Sequence, residues 1–220
     1  MRKYFKYLIY LYVFIGYSLS NAGAYDDFFK ALVFDRAEEV EALLARGLDP
    51  NTPNEDAIPG LMVALQKQAF KSAMVLAKHS DTKIEFENKQ GETPLMLAAF
   101  NNQLALAEVL IERGAEVNRK GWTPLHYAAT RGHREMMRLL LDNNAYIDSE
   151  AKNGTTPLMM AAYSAPPLAV KLLLEEGADP TLVNHGHATA LDLAEKAERA
   201  QSAFYIRAFL EAWEIQNSSE

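Results

Sequence analysis

Histidine is the side chain most often used for acid–base work or metal binding near neutral pH, and this 220-residue chain has five, at positions 79, 126, 133, 185 and 187. Only His185 and His187 stand at a spacing that suits joint ligation. Two imidazoles without a third ligand nearby make a poor metal site, so neither a bound metal nor a cofactor is expected. The chain has no cysteine, which excludes disulfides, thiolate metal sites, a cysteine nucleophile and a lipid-modified N-terminal cysteine. No strained serine elbow, glycine-rich phosphate loop or zinc-protease helix occurs along it. The carboxylates Glu38, Glu39, Glu41, Glu175 and Glu176 fall in mixed runs that suit solvated helix faces. Met136 with Met137 and Met159 with Met160 suit packing. No catalytic residue is assigned, and the chain is expected not to be an enzyme.

With no catalytic constellation to position, the elements themselves must carry the function. Hydrophobic residues make up 49% of the chain and charged ones 23%, enough apolar material for a core. Lys and Arg number 22 against 29 Asp and Glu, a net charge of -7, so no dominant basic surface exists to neutralise a phosphate backbone and nucleic acid is not an expected partner. No small-molecule substrate is implied either.

The N-terminus reads as an address. Arg2, Lys3 and Lys6 precede an apolar stretch, Tyr7 to Leu19, and then Ala22-Gly23-Ala24, the three-part plan of a secretory signal peptide cleaved after Ala24. The apolar stretch is shorter than the roughly 20 residues a spanning helix needs. An uncleaved segment would instead tether the chain to a membrane. Both readings place residues 25 to 220 outside the cytoplasm, in the periplasm or secreted. Removing the three cations leaves 19 against 29 acids, a net charge of -10. Two glycosylation sequons, at Asn153 and Asn217, are treated as chance matches.

One phrase recurs through the remainder: Gly91-Glu92-Thr93-Pro94-Leu95, Gly121-Trp122-Thr123-Pro124-Leu125 and Gly154-Thr155-Thr156-Pro157-Leu158, each followed by an alanine pair, with a weaker copy at Thr189. Threonine before proline starts a helix, because the hydroxyl accepts from a free backbone N–H and proline's missing donor costs nothing at the first helical position. The alanine pairs allow close helix approach. A second, leucine-rich helix then ends at Gly114, Asn144 or Gly177, residues suited to the left-handed conformation just past a helix C-terminus.

These phrases and their spacing of 30 to 33 residues resemble ankyrin repeats, in which a β-turn finger precedes two antiparallel helices. The resemblance implies an all-α solenoid of about six helix-turn-helix units with β-turn fingers. Their approximate bounds are 25-51, 52-87, 88-118, 119-148, 149-180 and 181-213, with 214-220 as a flexible tail. Asp26 is expected to cap the first helix and Ala203 to Trp213 to form the last. The fourth finger is three residues short, Pro166-Pro167 should open a second helix, and His185-Gly186-His187 is displaced from the usual glycine position. His126 resembles the family histidine that links neighbouring units by hydrogen bonds, and His133 fits the turn between two helices.

In this family partners lie across finger tips and first helices. That implies Glu92, Phe100 and Asn101 in the third repeat, Lys120, Trp122, Thr130 and Arg131 in the fourth, and Thr155, Tyr163 and Ser164 in the fifth. Phe100 and Trp122 suit either packing on adjacent repeats or an aromatic binding hot spot. The implied function is an exported, non-catalytic protein-protein interaction module, similar to small secreted bacterial ankyrin proteins. Alternatives are a periplasmic inhibitor or immunity protein acting on a basic toxin or hydrolase, and an accessory protein in oxidative-stress defence.

Overall fold

Short helices joined by tight, repeated reversals make up the fold. The computed structural model describes residues 23–217; the expected export signal falls almost wholly outside them. Two compact units divide the chain, one up to Asn88 and the other from Lys89 onward. The first unit holds α1 (23–33), α2 (Ala37–Ala45), α3 (Gly60–Gln66) and α4 (Phe70–Lys78). The second holds α5 (Pro94–Phe100), α6 (Leu104–Glu112), α7 (Pro124–Arg131), α8 (Arg134–Asp142), α9 (Pro157–Ser164), α10 (Pro167–Glu175), α11 (Ala190–Lys196) and α12 (Ala200–Asn217). Among the described residues no helix is long and apolar enough to cross a membrane.

In the second unit the threonines begin the first helix of each pair, as expected. The hydroxyls of Thr93, Thr156 and Thr189 accept from the N–H groups of Met96, Met159 and Asp192 at 3.2–3.3 Å. Thr123 departs from this pattern: the His126 N–H goes to its carbonyl at 3.0 Å, and its hydroxyl turns to the His126 ring. Asp26 does not cap α1, because α1 already includes residues 23–25 and places it inside the helix.

Most reversals use the same kind of bond. At the end of the first helix, a backbone N–H reaches back to an alanine carbonyl: Arg36 to Ala31, Ala69 to Ala64, Gln103 to Ala98, His133 to Ala128 and Arg199 to Ala194, at 2.8–3.0 Å. At the end of the second helix the acceptor is a leucine, from Leu48 to Leu43, Ala115 to Leu110, Ala145 to Leu140 and Ala178 to Leu173. Gly47, Gly114, Asn144 and Gly177 take the left-handed conformation there, which closes otherwise unpaired carbonyls. Between α9 and α10 the turn differs, with Ala165 and Pro166 extended and Pro167 opening the helix.

The alanine pairs Ala98-Ala99, Ala128-Ala129 and Ala161-Ala162 are fully buried, where α5, α7, α9 and α11 pack side by side. α8 packs on α6 and α10, and α10 on α12, to form a second row. The approach is tight at Gly132: a Cβ there would lie 2.5 Å from Pro166 Cδ, and its φ is 71°. The finger of residues 113–123 is three residues shorter than that of residues 143–156, as the sequence implies.

Two terminal features differ from expectation. α12 runs Ala200–Asn217, longer at both ends than Ala203 to Trp213, so helix replaces the first residues of the expected tail. His187, not a glycine, takes the left-handed slot two residues before Thr189, with φ 58°. Ala57 does the same two residues before the N-cap Pro59, with φ 61°.

Gly132→Ala is expected to lower stability by about 2 kcal/mol, through the clash with Pro166 and the unfavourable φ. His187→Gly should raise it by about 0.5 kcal/mol, the relief of left-handed strain less the extra chain entropy of glycine. Urea unfolding midpoints of the two variants measure both.

Candidate partner-binding face

The face formed by α5, α7, α9 and the fingers of the second unit is organised around one buried histidine. His126 is fully buried. Its Nδ1 accepts from the Thr123 N–H at 3.2 Å and lies 2.9 Å from the Thr123 hydroxyl. The opposite nitrogen, Nε2, therefore carries the proton and donates to the Thr155 carbonyl in the next repeat at 2.9 Å. Burial is the main cause that lowers its pKa from 6.5 to about 4; the bonds to the Thr155 and Ser149 backbone act in the opposite direction. His133 adds a second bridge, with Nε2 donating to the Phe100 carbonyl at 3.0 Å.

Finger-to-finger bonds run alongside. Asn118 donates from its amide to the Asn144 carbonyl at 2.7 Å and accepts from the Tyr146 N–H at 2.8 Å. Asp148 accepts from the Asp179 N–H at 3.1 Å. In the first unit Asn51 makes the same pair of bonds, to the Asp81 carbonyl and from the Lys83 N–H. Spacing gave the fingers but not these links, which depend on a side-chain amide or carboxylate at the base of each.

This framework fixes an aromatic cluster. The Trp122 ring stands edge-on to His126, with centroids 5.1 Å apart, and to Tyr127 at 6.4 Å. Tyr127 meets Phe100 edge-on at 6.1 Å, and the Arg131 guanidinium lies 5.0 Å from the Phe100 ring centroid. The Tyr127 hydroxyl donates to Glu92 Oε1 at 3.2 Å. Burial, reinforced by the Glu92 charge, pushes the phenol's pKa upward, so it remains a donor at neutral pH. Trp122 keeps 37% of its surface exposed and Tyr163 51%. Lys120 and Arg131 are also exposed.

Glu92, Phe100, Lys120, Trp122, Arg131 and Tyr163 thus present surface on this face. The other four sequence-derived residues are committed to the scaffold. Asn101 caps α5 by donating to the Leu97 carbonyl at 2.8 Å, and the Thr130 hydroxyl donates to the His126 carbonyl at 2.7 Å. The Ser164 hydroxyl bonds to the Thr130 carbonyl at 2.8 Å. Thr155 is buried, 6% exposed, and cannot offer its side chain at a finger tip. Tyr127 was missed; its signal was an aromatic at the register where the other copies have Leu97 and Met160.

Among the described residues no group of three or more His, Asp or Glu could hold a metal. His185 and His187 belong to the sixth finger, where the His185 N–H donates to the Asn153 carbonyl at 2.9 Å. The first unit carries an open groove of about 430 Å³, whose lining includes Tyr25, Phe29, Val33, Phe34 and Val63 together with Lys30 and Asp56.

Short antiparallel helix pairs, joined by fingers and completed by their neighbours, define a helical-repeat scaffold whose working part is a surface. The family profile described as Ankyrin repeats (3 copies) matches residues 28–120 and 117–184; the chain belongs to the ankyrin repeat family. It is 35% identical over 144 residues to the ankyrin repeat and SAM domain-containing protein 6 of Rattus norvegicus, matching 66% of this chain and 13% of that protein. It is 28% identical over 82 residues to the human transient receptor potential cation channel subfamily A member 1, 37% of this chain and 7% of the channel. The chain therefore spans a small part of these curated relatives. The human ASB11 ankyrin repeat domain superposes with a TM-score of 0.75 at 28% identity, covering 83% of this chain and 82% of that one. An ankyrin repeat domain from Acinetobacter baumannii gives 0.70 at 22% identity, over 83% and 96%, and shows the shared fold. Ankyrin repeat domains are protein-protein interaction modules and typically non-catalytic, and nothing in this site points to catalysis.

The depressed His126 pKa fixes a pH dependence. The unfolded chain binds the proton near pH 6.5 and the folded chain only near pH 4, so acid favours unfolding. Stability from this residue is whole above about pH 6.5, falls between pH 6.5 and 4 by up to about 3 kcal/mol, and is level below. His126→Gln should flatten that part of the profile, read from urea midpoints at successive pH values.

Proposed function

We propose that this protein is an exported binding scaffold that captures a protein partner on the face of α5, α7, α9 and the adjoining fingers. The observation that carries the reading is the aromatic cluster of Phe100, Trp122 and Tyr127, with Tyr163 exposed one repeat on. Its rings are locked edge-on by one another, by the His126 bridge and by the Tyr127–Glu92 bond. Aromatic residues and arginine dominate binding energy at interfaces, and a cluster already in place loses little conformational entropy when a partner docks. Glu92, Phe100, Lys120, Trp122, Arg131 and Tyr163 form the contact surface. The committed hydrogen bonds of Asn101, Thr130, Thr155 and Ser164 hold that surface in shape.

Export rests on the three-part N-terminal pattern alone, with the periplasm of a Gram-negative bacterium as the destination. Expression from the full coding sequence, followed by fractionation, should yield a chain beginning at Tyr25 outside the cytoplasm. A chain that keeps Met1 in the membrane fraction would make the segment an anchor.

Trp122→Ala combined with Tyr163→Ala should abolish partner capture from the exported fraction of the source cells, since one good anchor contributes about 2 kcal/mol or more. The far-ultraviolet helical signal and the cooperative melt should remain, because both side chains are substantially exposed. Undiminished capture of the same protein by the double variant would remove this face as the site.

A further inference from the structure

Aligned by their left-handed residues, three of the four fingers of the second unit share a cation at one register, and the fourth has a histidine there. These residues are Gly91, Gly121, Gly154 and His187, and two places before them stand Lys89, Arg119, Lys152 and His185. Lys120 adds a cation at the next place, and none of the four fingers has an acid at either place. The finger of the first unit is opposite in kind, with Glu55 and Asp56 at the same two places before Ala57.

Lys89, Lys120, Lys152 and His185 are exposed. Successive tips are neighbours: Lys152 Cγ lies 3.8 Å from the position a Cβ on Gly121 would take, and the His185 N–H reaches the Asn153 carbonyl. Nearby acids are largely engaged. Glu92 accepts from Tyr127, Asp192 accepts from the Thr189 N–H and hydroxyl, and Glu195 pairs with Arg207. On the legs of the fingers, exposed Glu87 and Glu150 stand two residues before Lys89 and Lys152, and exposed Glu116 three before Arg119. Further exposed acids lie on the second helices, as Glu108, Glu112, Glu135 and Asp142.

We propose that the second unit selects an acidic polypeptide segment, whose carboxylates meet the cationic finger tips while an apolar side chain seats beside Trp122 and Tyr163. This rests on the binding face proposed above and adds the chemistry of the partner. Helices packed side by side stand about 8–10 Å apart, which an extended chain covers in about three residues. The segment therefore carries Asp or Glu at roughly every third position. Opposite charges this close act within a Debye length of about 10 Å, so the local cations govern the encounter although the whole chain is at -7.

The test is selection of a displayed random peptide library on the protein made from its full coding sequence, followed by fluorescence anisotropy with the best synthetic peptide. Selected peptides should show acids about three residues apart around an aromatic or aliphatic anchor. Lys120→Glu with Lys152→Glu should weaken the best peptide at least about tenfold and reduce the salt dependence of its binding. Arg138→Glu with Lys171→Glu makes the same change in net charge on exposed residues of α8 and α10 and should leave affinity within about twofold. Unfolding midpoints of both double variants control for folding.

Peptides without an acidic excess, or insensitive to the finger-tip reversal yet lost with Trp122→Ala and Tyr163→Ala, would overturn the acidic partner while leaving the face intact. Insensitivity to the aromatic variants as well, or an empty selection, would overturn both. A single-stranded oligonucleotide bound as tightly as the best peptide would replace the proposal with a general polyanion site.

Discussion

Within the second unit the inner repeats are completed by their neighbours, because their helices are too short to stand alone. Helices of seven to nine residues fall below the length at which an isolated helix persists in water. A single pair also leaves terminal polar groups and one apolar face without partners. The inner helices solve the second problem by close packing, which the alanine pairs permit, and the His126 and His133 bridges solve part of the first. Each bridge satisfies a backbone carbonyl of a neighbouring repeat with a ring N–H. The buried imidazole must stay neutral to do so, and its depressed pKa reflects that requirement.

The same constraint makes a surface rigid enough to recognise something. Trp122 sits between the cap residue Thr123 and the finger, so its ring is oriented by the helix start and by the His126 ring beneath it. Tyr127 follows His126 directly and is held at its far end by Glu92. Stability and recognition thus share residues: whatever weakens the His126 bridge also loosens the platform for the exposed aromatics. A loop-borne cluster would be ordered only on binding, at a cost that this arrangement avoids.

Much of this was legible in the sequence because the signals are local. Threonine before proline marks a helix start whatever surrounds it, and glycine or asparagine after a leucine run marks an end. The proline pair at 166 and 167 opened α10 as its fixed backbone angle requires. Less legible were features decided by neighbours in space. Thr155 looked like an exposed finger residue, yet its carbonyl is drawn inward by a histidine 29 residues earlier. Asn101, Thr130 and Ser164 lie at the right register for recognition, but nearby carbonyls claim their side chains. Ala57 and His187 hold left-handed positions against their own preference because the flanking turn bonds impose them. Asp26 had the chemistry of a cap without the place of one.

Charge shows the gap between composition and surface most clearly. A net charge of -7 for the chain, or -10 without its first 24 residues, argues for a basic partner only if charge is spread evenly. In the second unit it is not, since Lys89, Arg119 and Lys152 recur at one register of the tips while Glu87, Glu116 and Glu150 stand on the legs behind them. A repeat architecture makes such segregation simple, because one residue choice at one register, copied along the stack, becomes a continuous stripe. Total charge governs solubility and distant encounter, whereas binding is decided within a Debye length of the face. On the reading proposed above, the finger tips offer cations to a partner although the molecule as a whole is acidic.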